Sequence, residues 1–251
     1  MSTKSSRSKS KKTSRKASAR SLAALRGERP AEDWAELRAG KSDPVLREAE
    51  LRGLNLRGVD FSNIVLTRAD LSGADLTGAN LAGADLRNAR LAGANLTGAK
   101  ITDARIQGAD FSGCDLTKAD FSGADGRPRT LVDPAACEPT GTSFVGARAD
   151  GARFVKAELS GCNFTRFEAE GARFDRARLV RAGFAEAQLS RVSLAHSKLD
   201  GVCLRRARFE DVDMRGVEAV RAEVEGATLE RCDLSAAVIA RSQLRDCALI
   251  E

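Results

Sequence analysis

An apolar residue recurs at every fifth position from Leu51 to Leu249, with one interruption. Fifteen of these apolar centres precede the interruption and 22 follow it. The residue two positions before a centre is usually small, as at Ala69, and the residue two positions after it is often Gly, as at Gly73. An internal repeat with so constant a period indicates a solenoid.

The period of five also indicates how each unit of the chain is built. Residues two apart share a face of an extended strand, so the small residue and the apolar centre both point inward. Because five is odd, an uninterrupted strand would turn the next centre outward. Each unit therefore needs a turn, for which the recurrent Gly supplies a permissive backbone. The pattern predicts a coil of short strands and corners with an apolar axis.

The units Ala69–Gly73 and Ala94–Gly98, with the sequences ADLSG and ANLTG, resemble the A(D/N)LxG repeat of the pentapeptide-repeat family. The resemblance implies an all-β fold, a right-handed quadrilateral β-helix with four units in each coil. The repeats would then form roughly nine coils and, at about 4.8 Å per coil, a rod roughly 45 Å long. A coil of twenty residues predicts that Phe144, Phe164 and Phe184 stack on one face, and that Phe154 and Phe174 stack on the opposite face.

The chain divides into five parts by composition and repeat pattern. Residues 22–48 contain Trp34 and read as a capping helix with the segment that leads into the first coil, although a free amphipathic helix for a partner is an alternative. We expect the five parts to be a disordered basic tail at 1–21, the capping segment at 22–48, a first repeat run at 49–125, an interrupting loop at 126–141 and a second run at 142–251.

The interruption breaks the period, because the centres move from 121 to 144, which is not a multiple of five. Its residues must loop out of the rod or kink it. Long loops in compact proteins are often functional. A degenerate coil disguised by prolines is the structural alternative.

Charge is concentrated at the start of the chain. Residues 1–50 contain 13 Lys and Arg against 7 Asp and Glu, whereas the first run has 8 against 9 and residues 144–251 have 18 against 17. The rod is therefore neutral in sum, and the tail is basic. The chain shows no apolar stretch for a membrane span and no secretory signal, and its six cysteines form no C-x-x-C pair. These features predict free thiols and a cytoplasmic protein.

The sequence offers little for catalysis. His196 is the single histidine and falls on an outside corner, where a solvated role is the usual one. The Asp and Asn residues beside the centres form regular ladders, not the convergent cluster that a metal or an acid–base reaction needs. We expect no enzyme activity, no catalytic residue, no cofactor and no metal site.

Cations gather near the start of the second run. Arg153 and Arg173 lie twenty residues apart and should stack one coil apart, as should Lys156 and Arg176. We predict an anion or partner patch from six residues: Arg153, Lys156, Arg173, Arg176, Arg178 and Arg181. The alternative is an ordinary solvated face whose charge is balanced by three acids: Glu158, Glu170 and Asp175.

The C-terminal coil has no predicted helix to close it. Leu244, Leu249 and Ile250 should expose apolar surface beside an open strand edge, and such edges invite pairing with another chain. The pattern favours a homodimer through this end, and the resemblance points the same way, since several family members dimerise there. A frayed monomeric end is the alternative.

Two functional hypotheses remain. The first is a non-enzymatic interaction scaffold whose basic tail contacts an acidic partner, with nucleic acid preferred. The second rests on resemblance to the Qnr-type group of the family, in which an acidic rod mimics duplex DNA and binds type II topoisomerases. The neutral rod argues against the second hypothesis.

Overall fold

The computed structural model describes residues 19–39, 45–128, 140–245 and 248–250, with side chains up to residue 242. Helix α1 spans Ala19–Arg26 and helix α2 spans Pro30–Ala39. The predicted capping segment, 22–48, contains α2 and the last five residues of α1, so the structure has two helices where one was predicted. Since α1 begins at Ala19, the predicted tail is three residues too long at its C-terminal end. Residues 1–18 lie outside the described part of the chain.

Short parallel strands and single bridges form the rest of the fold. The described strands are β1 (Glu168–Glu170), β2 (Gln188–Ser190), β3 (Arg208–Glu210), β4 (Glu218–Val220), β5 (Glu223–Glu225), β6 (Thr228–Glu230), β7 (Val238–Ala240), β8 (Gln243–Arg245) and β9 (Ala248–Ile250). They pair in the orders β1-β2-β3-β6-β9, β4-β7 and β5-β8. Each pair joins residues twenty apart, as the predicted four-unit coil requires.

The twenty-residue register builds a four-sided solenoid, as the family resemblance implies. We number the faces by their buried centres in two successive coils: Phe144 and Phe164 on face 1, Ala149 and Ala169 on face 2, Phe154 and Phe174 on face 3, and Leu159 and Leu179 on face 4. The first bridge joins Val45 to Val65, so the solenoid begins four residues before the predicted boundary at 49.

The solenoid continues through the interruption. Asp110 bridges to Ser143, and Asp125 bridges to Glu158. These partners are 33 positions apart instead of 20, so thirteen residues are inserted between two coils that stack directly on each other. The coils on either side of the interruption therefore pair with no coil between them, which argues against a degenerate coil; most of the predicted loop at 126–141, residues 129–139, lies outside the described part. Gly126 belongs to the fourth face of the earlier coil, since its N–H donates to the carbonyl oxygen of Glu158 at 2.8 Å.

Two ladders of stacked phenylalanines fill the axis on both sides of the insertion. The predicted pairs stack, with Phe144 and Phe164 at 4.8 Å between ring centroids and Phe154 and Phe174 at 4.5 Å. The ladder also crosses the insertion, because Phe111 stacks on Phe144 at 5.2 Å with the ring planes 7° apart. All these rings are buried. The aromatic core therefore ties the two repeat runs into one rod.

The corners lie two residues after each centre, where the backbone takes a positive φ. Gly fills most corners of the first run, as at Gly73 with φ 65°. Left-handed backbone is costly for residues with a Cβ, so Gly is the ordinary choice. In the second run long cations are frequent at these corners, namely Lys156, Arg166, Arg176, Arg181, Arg191, Arg206, Arg221, Arg231 and Arg241. Their side chains project from the edges of the rod.

The two helices pack on the N-terminal end of the solenoid. Trp34 is fully buried, and its ring meets Phe61 edge to face with centroids 5.4 Å apart. Leu25 of α1 is also buried, and Arg26 donates a 2.9 Å hydrogen bond to the carbonyl oxygen of Glu50. These contacts support the cap interpretation over a free amphipathic helix.

Candidate functional site

The six predicted cations lie together on faces 3 and 4 of two consecutive coils, residues 142–161 and 162–181. In these coils the two faces carry six Lys or Arg residues against two acids, Glu158 and Asp175. We call the six residues the basic patch: Arg153, Lys156, Arg173, Arg176, Arg178 and Arg181. The rod is thus neutral in sum but locally polarised, which a count along the sequence does not show.

The coil register stacks the patch residues as the sequence predicts. Arg153 and Arg173 are bridge partners on face 3. Lys156 and Arg176 occupy the next corner in successive coils, with φ values of 57° and 58°. Arg178 lies on face 4, where it bridges to Glu158. The patch therefore covers both sides of the corner between faces 3 and 4.

A shallow groove on face 3 contains part of the patch. Two adjoining cavities of about 290 Å³ and 310 Å³ share Val155 and Lys156. The first cavity is also lined by Arg173, Asp175, Arg176, Ala195 and His196, and the second by Thr102, Asp103, Ser122, Gly123 and Arg153. The apolar Val155 and the cation Lys156 line both cavities of the groove. An acid, Asp103, lines the cavity nearer the N-terminal end.

The patch cations differ in their local partners. Arg153 is 3.8 Å from the carboxylate of Asp120, and the Nε of Arg173 is 2.9 Å from the carboxylate of Asp175. Asp175 also accepts a 2.6 Å hydrogen bond from the hydroxyl of Ser193. The other four patch cations, Lys156, Arg176, Arg178 and Arg181, form no ion pair with any residue that the structure describes.

The acids that could balance the patch are largely occupied elsewhere. Glu170 lies on face 2, away from the patch, and pairs with Arg191. Glu158 lies on face 4 and approaches Arg127, with 4.0 Å between its Oε2 and the nearer guanidinium nitrogen. Three acids still lie beside patch cations: Asp175 beside Arg173, Asp120 beside Arg153, and Glu158 as the bridge partner of Arg178. On these two faces the cations outnumber the acids, and the anion patch remains a prediction beside the alternative of a solvated face.

His196 extends the corner column beyond the predicted patch. It follows Arg176 by twenty residues, has φ 57° and lines the same cavity. Its ring lies over the next corner of the column, Gly216, where a Cβ would come within 2.5 Å of Nδ1. The twenty-residue register was sufficient to place His196 beside Lys156 and Arg176. Its position in the repeat alone predicts only a solvated corner.

Other chemistry in the described part of the chain is sparse. Its residues contain no group of three or more His, Cys, Asp and Glu side chains arranged for a metal ion. Burial raises the pKa of the Cys114 and Cys162 thiols to about 12, so these thiols stay protonated and are poor nucleophiles. No helix within the described residues combines the length and apolarity that crossing a bilayer requires.

The predicted dimer end is described only in its backbone. Leu244 pairs with Val224, and Leu249 pairs with Leu229, while Ile250 is the last residue of β9. The side chains of these three C-terminal residues lie outside the described part. Just before them, Val238 is 53% exposed and Ile239, although a centre of face 4, is 43% exposed. The homodimer remains a prediction.

The repeats match a family model described as "Pentapeptide repeats (8 copies)", over residues 45–81, 79–117, 96–125, 140–167 and 172–211. No curated protein sequence matches the chain.

Among solved structures, HetL, a pentapeptide repeat protein involved in heterocyst differentiation regulation from Nostoc sp. strain PCC 7120, is 27% identical over 74% of this chain and 87% of its own, with TM-score 0.35. QnrB1, a plasmid-mediated fluoroquinolone resistance protein, is 23% identical over 64% and 82% of the two chains, with TM-score 0.32. A pentapeptide repeat protein from the Arabidopsis thaliana thylakoid lumen is 30% identical over 47% and 66%, with TM-score 0.23. These low TM-scores give no basis for transferring a partner.

Proposed function

This chain belongs to the pentapeptide-repeat family, and we propose that it is a non-enzymatic scaffold that binds nucleic acid through its basic patch and its basic N-terminal segment. The observation that carries the proposal is the charge of two adjacent faces. Six cations against two acids lie within two coils, and four of the cations are without an ion pair among the described residues. Such a concentration of charge attracts a phosphate backbone.

The N-terminal segment adds a second set of cations. Residues 1–18 contain seven Lys and Arg and no acid. They lead into helix α1, which packs on the N-terminal end of the rod. Charge of this kind binds phosphodiesters without sequence preference and with a strong dependence on salt. We therefore expect the segment to supply much of the affinity and the patch to supply the position of the bound strand.

The groove supports binding better than catalysis. Asp175 is held by Arg173 and Ser193, so its carboxylate is already hydrogen-bonded. His196, the single histidine of the chain, lies among cations and over Gly216. Neither arrangement pairs a base with a nucleophile in the way that covalent catalysis requires.

The proposal is tested by fluorescence anisotropy with a labelled DNA duplex. We expect full-length protein to bind at low salt and to lose affinity steeply as salt rises. Removal of residues 1–18 should weaken binding, and the cut leaves α1 intact. Replacing Arg176 and Arg178 with Gln should weaken it further, whereas the matched replacement of Arg148 and Arg166, in the same coils on faces 2 and 1, should have little effect. Equal effects of the two double variants, or no binding by the full-length protein, would refute the proposal.

The DNA-mimic hypothesis fits the described surface less well. A mimic of duplex DNA needs continuous acidic columns, but the outward column of face 1 reads Glu50, Asp70, Arg90 and Asp110. On face 3, Arg153 and Arg173 follow Asp120. A supercoiling assay with a type II topoisomerase would separate the two hypotheses, and we expect the protein to leave supercoiling unchanged at concentrations too low to cover the DNA.

A further inference from the structure

The unpaired cations of the basic patch form a band across the rod and not a stripe along it. Arg176 lies at the corner where face 4 begins, Arg178 lies on face 4, and Arg181 lies at the corner where face 4 ends. All three belong to one coil, and Lys156 stacks beside Arg176 in the coil before it. The band therefore spans a whole face in width but only two coils, or about 10 Å, along the axis.

Acids border this band at both ends along the axis. Towards the N-terminus, face 3 carries Asp103 and Asp120 at the same side-chain positions that Lys156 and Arg153 occupy in the patch. Towards the C-terminus the cations are paired: Lys198 with Glu218 at 3.3 Å, and Arg215 with Asp213 at 2.8 Å. A polyanion that followed the rod axis would leave free cations and meet carboxylates within two coils in either direction.

The surface around the band recognises charge without aromatic stacking. All ten Phe side chains and Trp34 are buried in the core or under the cap, and the chain contains no Tyr. Base stacking on exposed aromatic rings, on which many single-strand binders depend, is therefore not available. Contacts would be limited to phosphates, which position a strand but do not read its sequence.

From this geometry we infer that a nucleic-acid phosphate backbone crosses the rod transversely over face 4, from the Lys156–Arg176 corner to the Arg181 corner. The inference rests on the proposed function and adds the path and the footprint of the bound strand. A strand on this path contacts Arg176, Arg178 and Arg181 in turn, with Glu158 as the one acid beside it on face 4, and it stays clear of Asp103 and Asp120 on face 3. The crossing has a short footprint, so the patch by itself neutralises only a few phosphates.

The chain offers a matched pair of corner residues for the test. Arg181 and Arg221 occupy the same corner column two coils apart, with φ values of 57° and 59°. Asn takes the left-handed conformation at other corners of this rod, as at Asn63 and Asn88, so Arg181→Asn and Arg221→Asn should both fold. A transverse strand touches Arg181 and not Arg221, whereas an axial strand along this edge touches both.

The experiment measures duplex DNA binding across a salt series in a full-length background in which the seven Lys and Arg residues of 1–18 are replaced by Gln. We expect Arg181→Asn to weaken binding about tenfold at low salt and to reduce the salt slope by about 1, and Arg221→Asn to change affinity less than about twofold. Equal losses from the two variants would overturn the transverse path.

Other outcomes separate this inference from the function on which it rests. If the unmodified chain binds no DNA, the proposed function itself fails. If the unmodified chain binds but the Gln background does not, the N-terminal segment is the interface and the path over face 4 is wrong. If poly-glutamate displaces the DNA when its carboxylate concentration equals the phosphate concentration of the DNA, the band binds an acidic polypeptide. The assignment to nucleic acid is then overturned.

Discussion

The indole Nε1 of Trp34 donates a 2.7 Å hydrogen bond to the backbone carbonyl oxygen of Asp60. One coil later, the carbonyl oxygen of Asn80 accepts the backbone N–H of Phe61, also at 2.7 Å. Trp34 thus takes the place of a preceding coil at the first rung of face 3. Arg38 donates to the same oxygen of Asp60 at 2.8 Å, so the end of the rod is closed by two donors.

We expect Trp34→Ala to lower the free energy of unfolding by about 3–5 kcal/mol, because it removes a fully buried ring and uncovers Phe61. Trp34→Phe keeps most of the apolar contact and loses one hydrogen bond, so about 1 kcal/mol is expected. Trp34→Phe loses little stability because Arg38 still donates a hydrogen bond to the backbone carbonyl oxygen of Asp60. Urea unfolding of both variants measures the difference, and equal stabilities of Trp34→Ala and the unmodified protein would contradict the cap.

The alternation of inward and outward positions predicts opposite outcomes at adjacent residues. Leu91 is fully buried, whereas Arg90 is exposed. Leu91→Lys would bury an unpaired cation in a narrow apolar axis and should lower stability by several kcal/mol, on the order of 3–5. Arg90→Lys should change it by less than about 0.5 kcal/mol. Thermal melts of the two variants test the register, and similar melting temperatures would show that it is wrong.

A glycine pair tests how tightly the chain returns from the insertion. A Cβ on Gly141 would lie 2.7 Å from the carbonyl oxygen of Gly161, so the backbone must move. A Cβ on Gly146 meets nothing within 4 Å, but this residue has φ 62°. We expect Gly146→Ala to cost about 1 kcal/mol from backbone strain and Gly141→Ala about 2–3 kcal/mol from overpacking. Chemical denaturation gives both values, and the reverse order would contradict the described return path.

Acid should destabilise the rod through its outward carboxylates. Hydrogen bonds from Ser72 lower the pKa of Asp70, and those from Arg215 lower the pKa of Asp213. A folded pKa below the unfolded value gives stability that is complete above about pH 4 and is lost as the pH falls further through the folded pKa. We expect constant stability between neutral pH and about pH 5, and a decline below about pH 4.

The chain supplies a control for this pH dependence. The amide oxygen of Asn95 accepts the Thr97 N–H at 3.0 Å, as Asp70 does for the N–H of Ser72. Asp70→Asn should therefore keep its stability near pH 7 and lose less of it on acidification than the unmodified protein. Denaturation curves at pH 7 and pH 3 make the comparison, and an equal acid loss in the variant would show that Asp70 does not contribute.

The exposed Val238 and Ile239 suggest that a second copy covers the C-terminal end, as the sequence predicts for Leu244, Leu249 and Ile250. We expect light scattering to give a dimer mass at micromolar concentrations and Ile239→Asp to give a monomer with an unchanged melting profile for the rest of the rod. A monomer mass for the unmodified protein would refute the homodimer.

Much of the fold follows from two numbers, the period of five in the sequence and the four units per coil that the family resemblance implies. Together they predict the ladder of Phe144 and Phe164 and the pairing of Arg153 with Arg173. The start of α1 at Ala19 and its separation from α2 escaped prediction, because residues 19–21 read as a continuation of the basic tail. The burial of Leu25 against the cap is a tertiary contact that local composition does not reveal.

The repeat pattern also does not reveal that the solenoid continues to Gly126 and resumes at Thr142, and the reason is physical. Gly126 holds the place of an apolar centre but has no side chain, and Thr142 and Cys162 fill the space instead. The hydroxyl of Thr142 donates to the carbonyl oxygen of Ile106 at 2.6 Å. For the patch, the sequence located the cations, but the contacts that occupy Arg173 and leave Arg176 unpaired depend on side-chain geometry.

The stacking of Phe111 on Phe144 has a consequence for how this chain can vary. Since the coils before and after the insertion are in direct contact, the number of inserted residues does not determine the axial distance between the two repeat runs. The insertion can lengthen, shorten or change in composition while every coil on either side keeps its position along the solenoid axis. The axial distance between the N-terminal cap and the basic patch is therefore independent of the length and sequence of the insertion.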